Sequence, residues 1–436
     1  MTYQEAENYL LTLGNIRSTE GKSDQHQSVQ NLLRVQFLLD ILGNPERQIP
    51  HYIHVTGTSG KGSVCRFLHS ILSTSGRKTG LNISPHPTHI RERWQVGGNC
   101  MSKSEFIEII SQLKPALQTY FKTSPYPLLS FVDLTTVIGL IFFAQKKVEW
   151  AVVEVVCGGL YDSTNVLPSK DVAVITNIGI DHVGLLGDTK EKIVKNKAGI
   201  INGPTQVYTM EKSNTLVNII KDTCKKKKAI FHPYQATYSL LKNDTEGIAF
   251  TYKEKTYSLS TLGTHQVQNA ILCIDIAHDL KISQTAIETG LSSTLQPLRM
   301  EIMSKNPLII LDAAHNEDKI KSSVAAIQNF PQKNIHLLIE FSADKDIKKF
   351  IKILSVLKPK TIACTRNTVN LFRKAANPRT LKELFQKALP QTKIEIFLEP
   401  EQALKWSQSQ LDTNDALLIT GSIFLSGQLR EFFQES

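Results

Sequence analysis

The feature that most constrains the fold is a regular alternation of short apolar runs and helical segments in the last third of the chain. Between Pro307 and Phe433, five apolar runs typical of buried strands are each followed by a stretch with helical periodicity. Bare apolar strands of this kind suit a parallel sheet that helices cover on both faces. We therefore predict a C-terminal α/β unit of about 130 residues.

The preceding part of the chain repeats this pattern around a glycine-rich turn. An apolar run at 52–56 precedes the turn, a helical segment follows it at 61–75, and further apolar strands lie at 150–156 and 172–176. The stretch 205–262 is more polar and alternating, which favours an antiparallel patch or insert. The 436 residues are enough for two or three domains.

Composition and sequence pattern argue against a membrane protein, a secreted protein and a protein stabilised by disulfides or zinc. No apolar run approaches the roughly 18 residues that a membrane span needs, and the N-terminus lacks the basic and apolar regions of a secretory signal. Six scattered cysteines without a CxxC pair predict reduced thiols rather than a disulfide framework or a zinc site. We therefore expect a cytoplasmic protein without a membrane partner.

The formal charge of +10 can attract nucleic acid, but it serves anionic small substrates equally well. The sharpest basic run, Lys225 to Lys228, has no interleaved aromatic residues of the kind that bind single strands. We therefore expect small-molecule substrates and no nucleic-acid partner.

The glycine-rich turn predicts a phosphate-binding loop. Glycines let backbone N–H groups converge on a phosphate, and the following helix N-terminus adds positive potential. Lys61 can reach the terminal phosphates of a nucleotide, and the Ser63 hydroxyl can ligate Mg²⁺. A glycine-rich turn is by itself more often only a turn, but the flanking strand and helix favour nucleotide binding. The loop consists of Gly57, Thr58, Ser59, Gly60, Lys61, Gly62 and Ser63.

Glu154 lies inside an apolar strand, where an unpartnered carboxylate is costly. Metal coordination and a neighbouring hydrogen bond are both open explanations. Taken together, the patterns predict an α/β protein in two parts. We expect an N-terminal P-loop ATPase domain with a mostly parallel sheet at 1–296, and a smaller Rossmann-like C-terminal domain at 297–436.

Several segments together resemble the folylpolyglutamate synthase family, which includes dihydrofolate synthases and is a branch of the Mur ligases. They follow the family's order over roughly 28–433. The resemblance implies an ATP-dependent ligase that phosphorylates a folate-type carboxylate, so that the amine of L-glutamate can attack the acyl phosphate. The segments are HVTGTSGKGSV (54–64), SPHPTHIRERWQVGG (84–98), EVVCGGLYDSTNV (154–166), ITNIGIDHVGLLGDTKEKIVKNKAGII (175–201), HQVQNA (265–270), ILDAAHN (310–316) and ITGSIFLSG (419–427).

The resemblance also implies site residues and cofactors. The cofactors are ATP and two Mg²⁺ ions, with a monovalent cation as a further candidate, and the expected state is a monomer. Without the resemblance, His182 would be a structural histidine, Lys197 a surface lysine, and Asp312 often a helix N-cap. The implied metal ligands are Ser63, Glu154, His182 and a carbamylated Lys197; the catalytic residues are Lys61, His182 and Lys197; and the nucleotide contacts beyond the loop are Gln268, Asn269, Arg299, Asp312 and His315.

The chain departs from the family pattern near the implied site. Leu160 replaces an arginine, Asn196 replaces a glutamate, Leu298 replaces a glycine, and Ser59 replaces an asparagine. The missing arginine leaves the identity of the acid and amine substrates open. Either another cation takes its place, with Arg91 and Arg93 as the candidates, or the substrate differs.

Three functions therefore remain. The first is a ligase that adds glutamate to dihydropteroate, to a reduced folate, or to both. The second is a Mur-ligase-like enzyme that joins a different acid and amine. The third is a P-loop ATPase that binds nucleic acid, which should hydrolyse ATP without an acceptor and lose nucleic-acid affinity steeply with salt.

Overall fold

The computed structural model describes residues 1–19, 29–180, 183–234, 237–369 and 374–433. The chain divides into two compact units, which we call unit 1 and unit 2. Unit 1 comprises Met1–His86, Ile90–Thr237 and Gln268–Leu291, and unit 2 comprises Pro87–His89, Tyr238–Val267 and Ser292–Ser436. Residues 238–267 thus cluster with unit 2, although they precede the predicted domain boundary at 296/297, which itself stays a prediction.

Within its described residues, unit 1 is built on an eight-stranded sheet of order β4-β3-β2-β5-β1-β6-β7-β8. The strands from β2 to β8 in this order are parallel, and β3 and β4 form an antiparallel edge. The strands are β1 (His51–Thr56), β2 (Thr79–Asn82), β3 (Trp94–Val96), β4 (Asn99–Cys100), β5 (Trp150–Glu154), β6 (Val172–Ile175), β7 (Gln206–Thr209) and β8 (Ile230–His232).

Helices cover both faces of this sheet. Val153 and Ala173 pair with the same residue of β1 and therefore share one face, on which Leu38, Phe106, Ile193 and Ile220 are buried. The helix Lys61–Thr74 packs on the other face, which carries Glu154. The helices up to residue 293 are α1 (Tyr3–Thr19), α2 (Val29–Ile41), α3 (Lys61–Thr74), α4 (Lys103–Thr123), α5 (Phe131–Gln145), α6 (Val183–Leu186), α7 (Lys190–Lys197), α8 (Asn214–Lys227), α9 (His265–Asp279) and α10 (Gln284–Ser293).

The register of the central strands brings three carboxyl ends to one edge of the sheet. Val55 of β1 pairs with Glu154 of β5, and Thr56 of β1 pairs with Ile175 of β6. All three strands are almost wholly buried, as predicted for a parallel sheet covered on both faces. The glycine-rich loop, Glu154 and the segment after β6 therefore meet at this edge.

The prediction for 205–262 is wrong in its first part. Strands β7 and β8 extend the parallel sheet, with α8 between them, and only the rest is antiparallel. The sequence of β8 misleads because an edge strand is partly exposed and so carries polar residues. The antiparallel sheet consists of β9 (Ser239–Asp244), β10 (Gly247–Tyr252) and β11 (Lys255–Leu259).

In unit 2 the described strands include a six-stranded sheet of order β12-β13-β17-β14-β15-β16. The predicted α/β alternation is confirmed, but the half-exposed antiparallel edge strand β12 was not predicted. The elements are β12 (Glu301–Lys305), β13 (Leu308–Leu311), α11 (Glu317–Gln328), β14 (Ile335–Ile339), α12 (Ile347–Leu354), β15 (Thr361–Cys364), α13 (Pro378–Ala388), β16 (Lys393–Ile396), α14 (Pro400–Ser409), β17 (Ala416–Thr420) and α15 (Ile423–Arg430). The predicted α/β fold class, with two mostly parallel sheets, is therefore confirmed.

All six cysteines lie in the described residues and are free thiols. None of the helices in the described ranges is long and apolar enough to span a membrane. The longest apolar run, 137–144, lies inside the buried helix α5.

The turn before β12 places two residues other than glycine in the left-handed backbone region. Leu298 has φ 57° and Met300 has φ 52°. This conformation costs roughly 1–2 kcal/mol for a residue other than glycine, which accounts for the family's glycine at the first position. Leu298 is only 1 % exposed and packs with Leu311, so its burial offsets the strain.

We expect Leu298→Gly to be more stable than Leu298→Ala by about 1 kcal/mol, although glycine is usually the worse replacement. Both variants lose the buried leucine, at roughly 2–5 kcal/mol, but only glycine relieves the backbone strain. Urea unfolding of the two variants measures the difference. An alanine variant as stable as the glycine variant would contradict the strain at this position.

Candidate active site

The glycine-rich loop connects β1 to α3 in a backbone conformation that requires glycine. Gly57 has φ 148°, and a Cβ atom there would collide with the hydroxyl of Thr176. Gly60 has φ 83°, and its Cβ would lie 2.6 Å from the amide oxygen of Asn269. Both glycines therefore allow close packing that a side chain would prevent. Asn269, one of the predicted nucleotide contacts, thus lies directly against the loop.

Hydrogen bonds tie the loop to the segment after β6. The Thr58 and Ser59 amides donate to the main-chain oxygen and the side-chain oxygen of Asn177, at 2.9 and 2.7 Å. The Thr176 hydroxyl donates to the Ser59 carbonyl at 2.6 Å. Sequence reasoning did not single out Thr176 or Asn177, although their position after a central parallel strand was an available signal.

The start of α3 has the geometry of an anion site. The first N–H groups of a helix have no acceptor within the helix, and the N-cap Gly60 has no side chain to accept their hydrogen bonds. Because these donors point outward together with the positive end of the helix dipole, they suit a phosphate. The sequence-predicted fit to a nucleotide phosphate is therefore compatible with the loop geometry.

Two lysine ammonium groups converge on the loop. Lys61 Nζ donates to the Gly57 carbonyl at 3.1 Å, and Lys197 Nζ donates to the same oxygen at 2.8 Å. Lys197 ends α7 and is only 3 % exposed, so it is not a surface lysine. The two cations come from positions far apart in the sequence and give the loop a strongly positive character.

Glu154 lies beside the first turn of α3. It is 4 % exposed, and its Oε2 accepts a hydrogen bond from the Ser84 amide at 2.9 Å. A Cβ atom on Gly62 would lie 3.5 Å from the same oxygen, which places the carboxylate next to the turn that carries Ser63. Hydroxyl and carboxylate oxygens are donors that Mg²⁺ accepts together with nucleotide phosphates. These residues therefore fit a magnesium ion.

The described part of the chain contains no group of three or more His, Cys, Asp or Glu side chains that could hold a metal ion. Magnesium at Ser63 and Glu154 would therefore depend on phosphate oxygens and water for its other ligands, as is usual for this ion. His182, the remaining predicted metal ligand, lies outside the described residues.

Arg93 is the cation nearest to this carboxylate among the two arginines considered above. Its guanidinium is buried, donates from Nε to His86 at 3.1 Å, and lies 5.3 Å from the ring centre of Phe131. Burial lowers the pKa of Arg93 to about 10, and the Glu154 carboxylate opposes that shift. Arg91 instead donates to the Met101 carbonyl at 2.7 Å. Of the two candidates, the structure brings Arg93 to the site.

The two neutral replacements at Leu160 and Asn196 are neighbours. The Leu160 amide donates to the Asn196 carbonyl at 2.9 Å, and a Cβ atom on Gly199 would collide with the Leu160 side chain. Leu160 therefore packs against the turn that follows Lys197. Compared with the family pattern, one arginine and one glutamate are both replaced by neutral residues here. The net charge of this part of the site is therefore unchanged.

The remaining predicted residue of unit 1 is Gln268. Its carbonyl accepts a hydrogen bond from the Tyr234 hydroxyl at 3.4 Å, and it precedes Asn269 in α9. Among the predicted residues that the structure describes in unit 1, those that lie against the phosphate loop are Glu154, Lys197 and Asn269.

Asp312 and Arg299 belong to unit 2 and are engaged locally. The Asp312 carboxylate accepts the Met300 amide at 3.3 Å and the Ser323 hydroxyl. The Arg299 guanidinium donates to the Leu298 carbonyl at 3.4 Å. Asp312 is not the N-cap of the next helix, because Asn316 has that role. In this conformation both side chains stabilise the turn before β12.

His315 is held as a neutral imidazole. Its Nδ1–H donates to the Ala313 carbonyl at 2.8 Å, so Nε2 is free to accept from Lys319 Nζ at 3.3 Å. Burial and then the charge of Lys319 lower the pKa of His315 well below its ordinary range. The neutral ring and the ammonium together form a hydrogen-bonding group at the start of α11.

Comparisons with known proteins identify two domains in the chain and one relative of similar length. Residues 55–277 match the Mur ligase middle domain, and residues 298–423 match the Mur ligase, glutamate ligase domain. The dihydrofolate synthase/folylpolyglutamate synthase of Bacillus subtilis (strain 168) is 30% identical over 420 residues, which cover 91% of this chain and 94% of that protein.

Solved structures extend the similarity to the fold. The E. coli FolC structure in complex with DHPP and ADP has a TM-score of 0.82 and 26% identity, covering 99% of this chain and 98% of that chain. Mycobacterium tuberculosis folylpolyglutamate synthase complexed with ADP and AMPPCP has a TM-score of 0.80 and 25% identity, covering 92% and 95%. With both matched domains, the phosphate loop and the fold in agreement, the chain belongs to the dihydrofolate synthase/folylpolyglutamate synthase family of Mur ligases.

Proposed function

We propose that this protein is an ATP-dependent ligase that joins L-glutamate to a folate-type acceptor, either dihydropteroate or a reduced folate, through an acyl phosphate. The observation that carries the proposal is the phosphate loop, where Lys61 and Lys197 converge on one carbonyl and Glu154 lies beside the next helix. The folate acceptor and the glutamate are supported by the names of the relatives.

The chemistry requires activation of a carboxylate. A carboxylate is a poor electrophile, and phosphorylation gives it a leaving group. Charge builds up on the phosphoryl oxygens during transfer, so Lys61 and the amides at the start of α3 would stabilise that charge. Arg93 would orient an anionic acceptor near Glu154 and keep its own charge over the working pH range.

Magnesium would be held at Ser63 and Glu154 with the ATP phosphates, and a second ion near His182 and Lys197. A bound magnesium ion supplies charge neutralisation and alignment of the phosphate oxygens. Carbamylation of Lys197, in which the deprotonated amine adds to carbon dioxide and releases a proton, would give an anionic carbamate and so provide an oxygen ligand. The nucleotide contacts of Gln268, Asn269, Arg299, Asp312 and His315 belong to the same proposal, as does a monovalent cation.

We expect Glu154→Gln to raise the Mg²⁺ concentration for half-maximal turnover by at least about tenfold. Removing a residue that only supports a metal ligand already weakens metal binding by about this factor, and removing the ligand itself should weaken it at least as much. Phosphate release measured over a Mg²⁺ series tests this. Glu149→Gln is the matched control, since Glu149 is exposed and precedes the same strand. Equal Mg²⁺ dependence in all three proteins would show that Glu154 is structural.

The decisive experiment for the function is phosphate release from ATP with a panel of acids and amines. Dihydropteroate, reduced folates and other carboxylates are each combined with L-glutamate and other amino acids. Release that requires both a folate-type acid and L-glutamate supports the proposal. Release with a different pair favours another amide ligase, and release without any acceptor favours a simple ATPase.

We expect Leu160→Arg to change acceptor kinetics by about 5- to 150-fold, because a cation–anion contact in a partly desolvated site is worth roughly 1–3 kcal/mol. Activity with folates rises if the site has drifted from a folate role, and falls if Leu160 forms an apolar wall for the acceptor. Leu160→Met is the control. Unchanged kinetics across the acid panel would remove this position from substrate recognition.

We propose a monomer in the cytoplasm that has no nucleic-acid partner. Gel filtration with light scattering tests the oligomeric state, and the salt dependence of nucleic-acid binding tests the last point.

A further inference from the structure

Glu340 occupies the carboxyl edge of the unit 2 sheet, directly after β14. Strand β14 lies next to β17. The helices after β13, β14 and β15 pack on the face that carries Ile339, whereas α14 and α15 pack on the face that carries Leu338. The chain therefore leaves β14 and β17 toward opposite faces. Open α/β sheets bind ligands at such a switch point, outside the carboxyl ends of the strands.

The Glu340 carboxyl group is buried, and no cation among the described residues lies beside it. It is 1 % exposed, and its Oε1 accepts a hydrogen bond from Asn367 Nδ2 at 2.8 Å. Its Oε2 is also buried and has no partner with hydrogen-bond geometry among the described residues. No described Lys, Arg or His forms an ion pair with it. A buried charge with no counter-charge is strongly unfavourable, so this position is costly for the protein alone.

The neighbouring groups are neutral. Asn367 and Ser422 are the polar side chains described next to the carboxyl group, and neither carries a charge. Burial raises the pKa of Glu340 from 4.5 to about 7, and the two neutral groups oppose that shift. One negative charge among neutral hydrogen-bonding groups matches one monovalent cation. A divalent metal usually needs more anionic or carbonyl oxygens than this site offers.

The proposed ligation brings one such cation to the enzyme, the ammonium group of the incoming amino acid. An ammonium has three N–H donors and no acceptor, which suits a carboxylate with an unused oxygen. Unit 2 contains the stretch that matches the glutamate ligase domain. We propose that Glu340 binds the ammonium group of the incoming amino acid at the switch point of the unit 2 sheet; the assignment rests on the proposed ligase function.

Access to this carboxyl requires movement of the turn between β17 and α15. Gly421 has φ 101°, and a Cβ atom there would collide with the Glu340 carbonyl, so the turn packs tightly over the end of β14. Ser422 begins α15 and bears on the carboxyl itself. The ammonium enters when this turn is displaced, and the ion pair then replaces the neutral contacts. Glu340 is thus a positioning residue for the amine.

The test compares Glu340→Gln with Asp415→Asn in the full-length enzyme. Asp415 is a buried carboxylate at the opposite edge of the same sheet, where Asn334 donates to it at 2.8 Å. The KM for L-glutamate should rise about 10- to 150-fold in Glu340→Gln, with the KM for ATP and the acceptor unchanged. Asp415→Asn should lower stability and leave the KM for L-glutamate at the wild-type value.

Glutarate, which has both carboxylates of glutamate but no ammonium, provides a second readout. Calorimetric titration should show that the wild type binds L-glutamate better than glutarate and that Glu340→Gln loses this preference. A wild-type KM and an unchanged preference in Glu340→Gln would overturn the ammonium site while the ligase function stands. Failure of the ligase function would show instead as no amino-acid-dependent phosphate release by the wild type.

Discussion

Replacing Lys61 with alanine is expected to lower the ligation rate by at least about a thousandfold while leaving the fold intact. The ammonium is placed at the phosphate loop, where it offsets charge on the transferred phosphoryl group, and preorganised groups of this kind carry large rate effects. Its described hydrogen bond goes to the Gly57 carbonyl at 3.1 Å, so its loss removes little packing. Phosphate release with saturating ATP measures the rate, and urea unfolding measures stability.

Lys221→Ala is the control for this experiment. Lys221 is exposed on α8, and its described contact is with the ring of Phe231, so this variant should keep wild-type activity. Near wild-type ligation by Lys61→Ala would refute the assignment of the loop. A large loss of unfolding free energy in that variant would instead indicate a structural role for the lysine.

The second large effect is on stability rather than rate. We expect Glu340→Gln to be more stable than the wild type by about 3 kcal/mol at pH 8, and equally stable near pH 4. The reason is that glutamine keeps the shape and the hydrogen bond to Asn367 but removes the buried charge. Urea unfolding of both proteins across this pH range measures the difference.

The higher stability of Glu340→Gln at pH 8 follows from the direction of the pKa shift of Glu340. Burial raises the pKa of the folded-state carboxyl from 4.5 to about 7. Between these values the folded protein holds a proton that the unfolded chain has released, so wild-type stability falls as pH rises and levels off above about pH 7. Glutamine does not titrate. The groups that bear on the carboxyl, Asn367 and Ser422, do not titrate in this range either.

Asp415→Asn should behave in the opposite way. Hydrogen bonds from Asp412, Asn334 and His336 hold the pKa of Asp415 below its ordinary value, although burial opposes them. Its ionised form therefore stabilises the fold, and its loss should destabilise the protein at pH 8. If the stability difference between Glu340→Gln and the wild type were the same at every pH, Glu340 would not be a titrating, uncompensated charge.

Local patterns predicted much of the architecture because they depend on neighbouring residues. The helical periodicity of the sequence predicted α2 and α3. Its apolar runs predicted β1, β5 and β6 as strands of a parallel sheet that helices cover. Edge strands were less predictable. Strands β8 and β12 are partly exposed, and their polar positions weaken the apolar signal. Pattern reasoning therefore fails where one side of a strand has no neighbour.

The sequence by itself determined the α/β class, the phosphate loop and the candidate lysine Lys61, since glycine spacing and strand–helix order are local properties. Only the tertiary structure decided that Lys197 donates to Gly57 and that Arg93 rather than Arg91 lies near Glu154. It also decided that Glu340 is buried without a counter-charge from any residue that the structure describes. The physical reason is that burial and charge pairing depend on the order in which strands assemble, which brings together residues far apart in the chain.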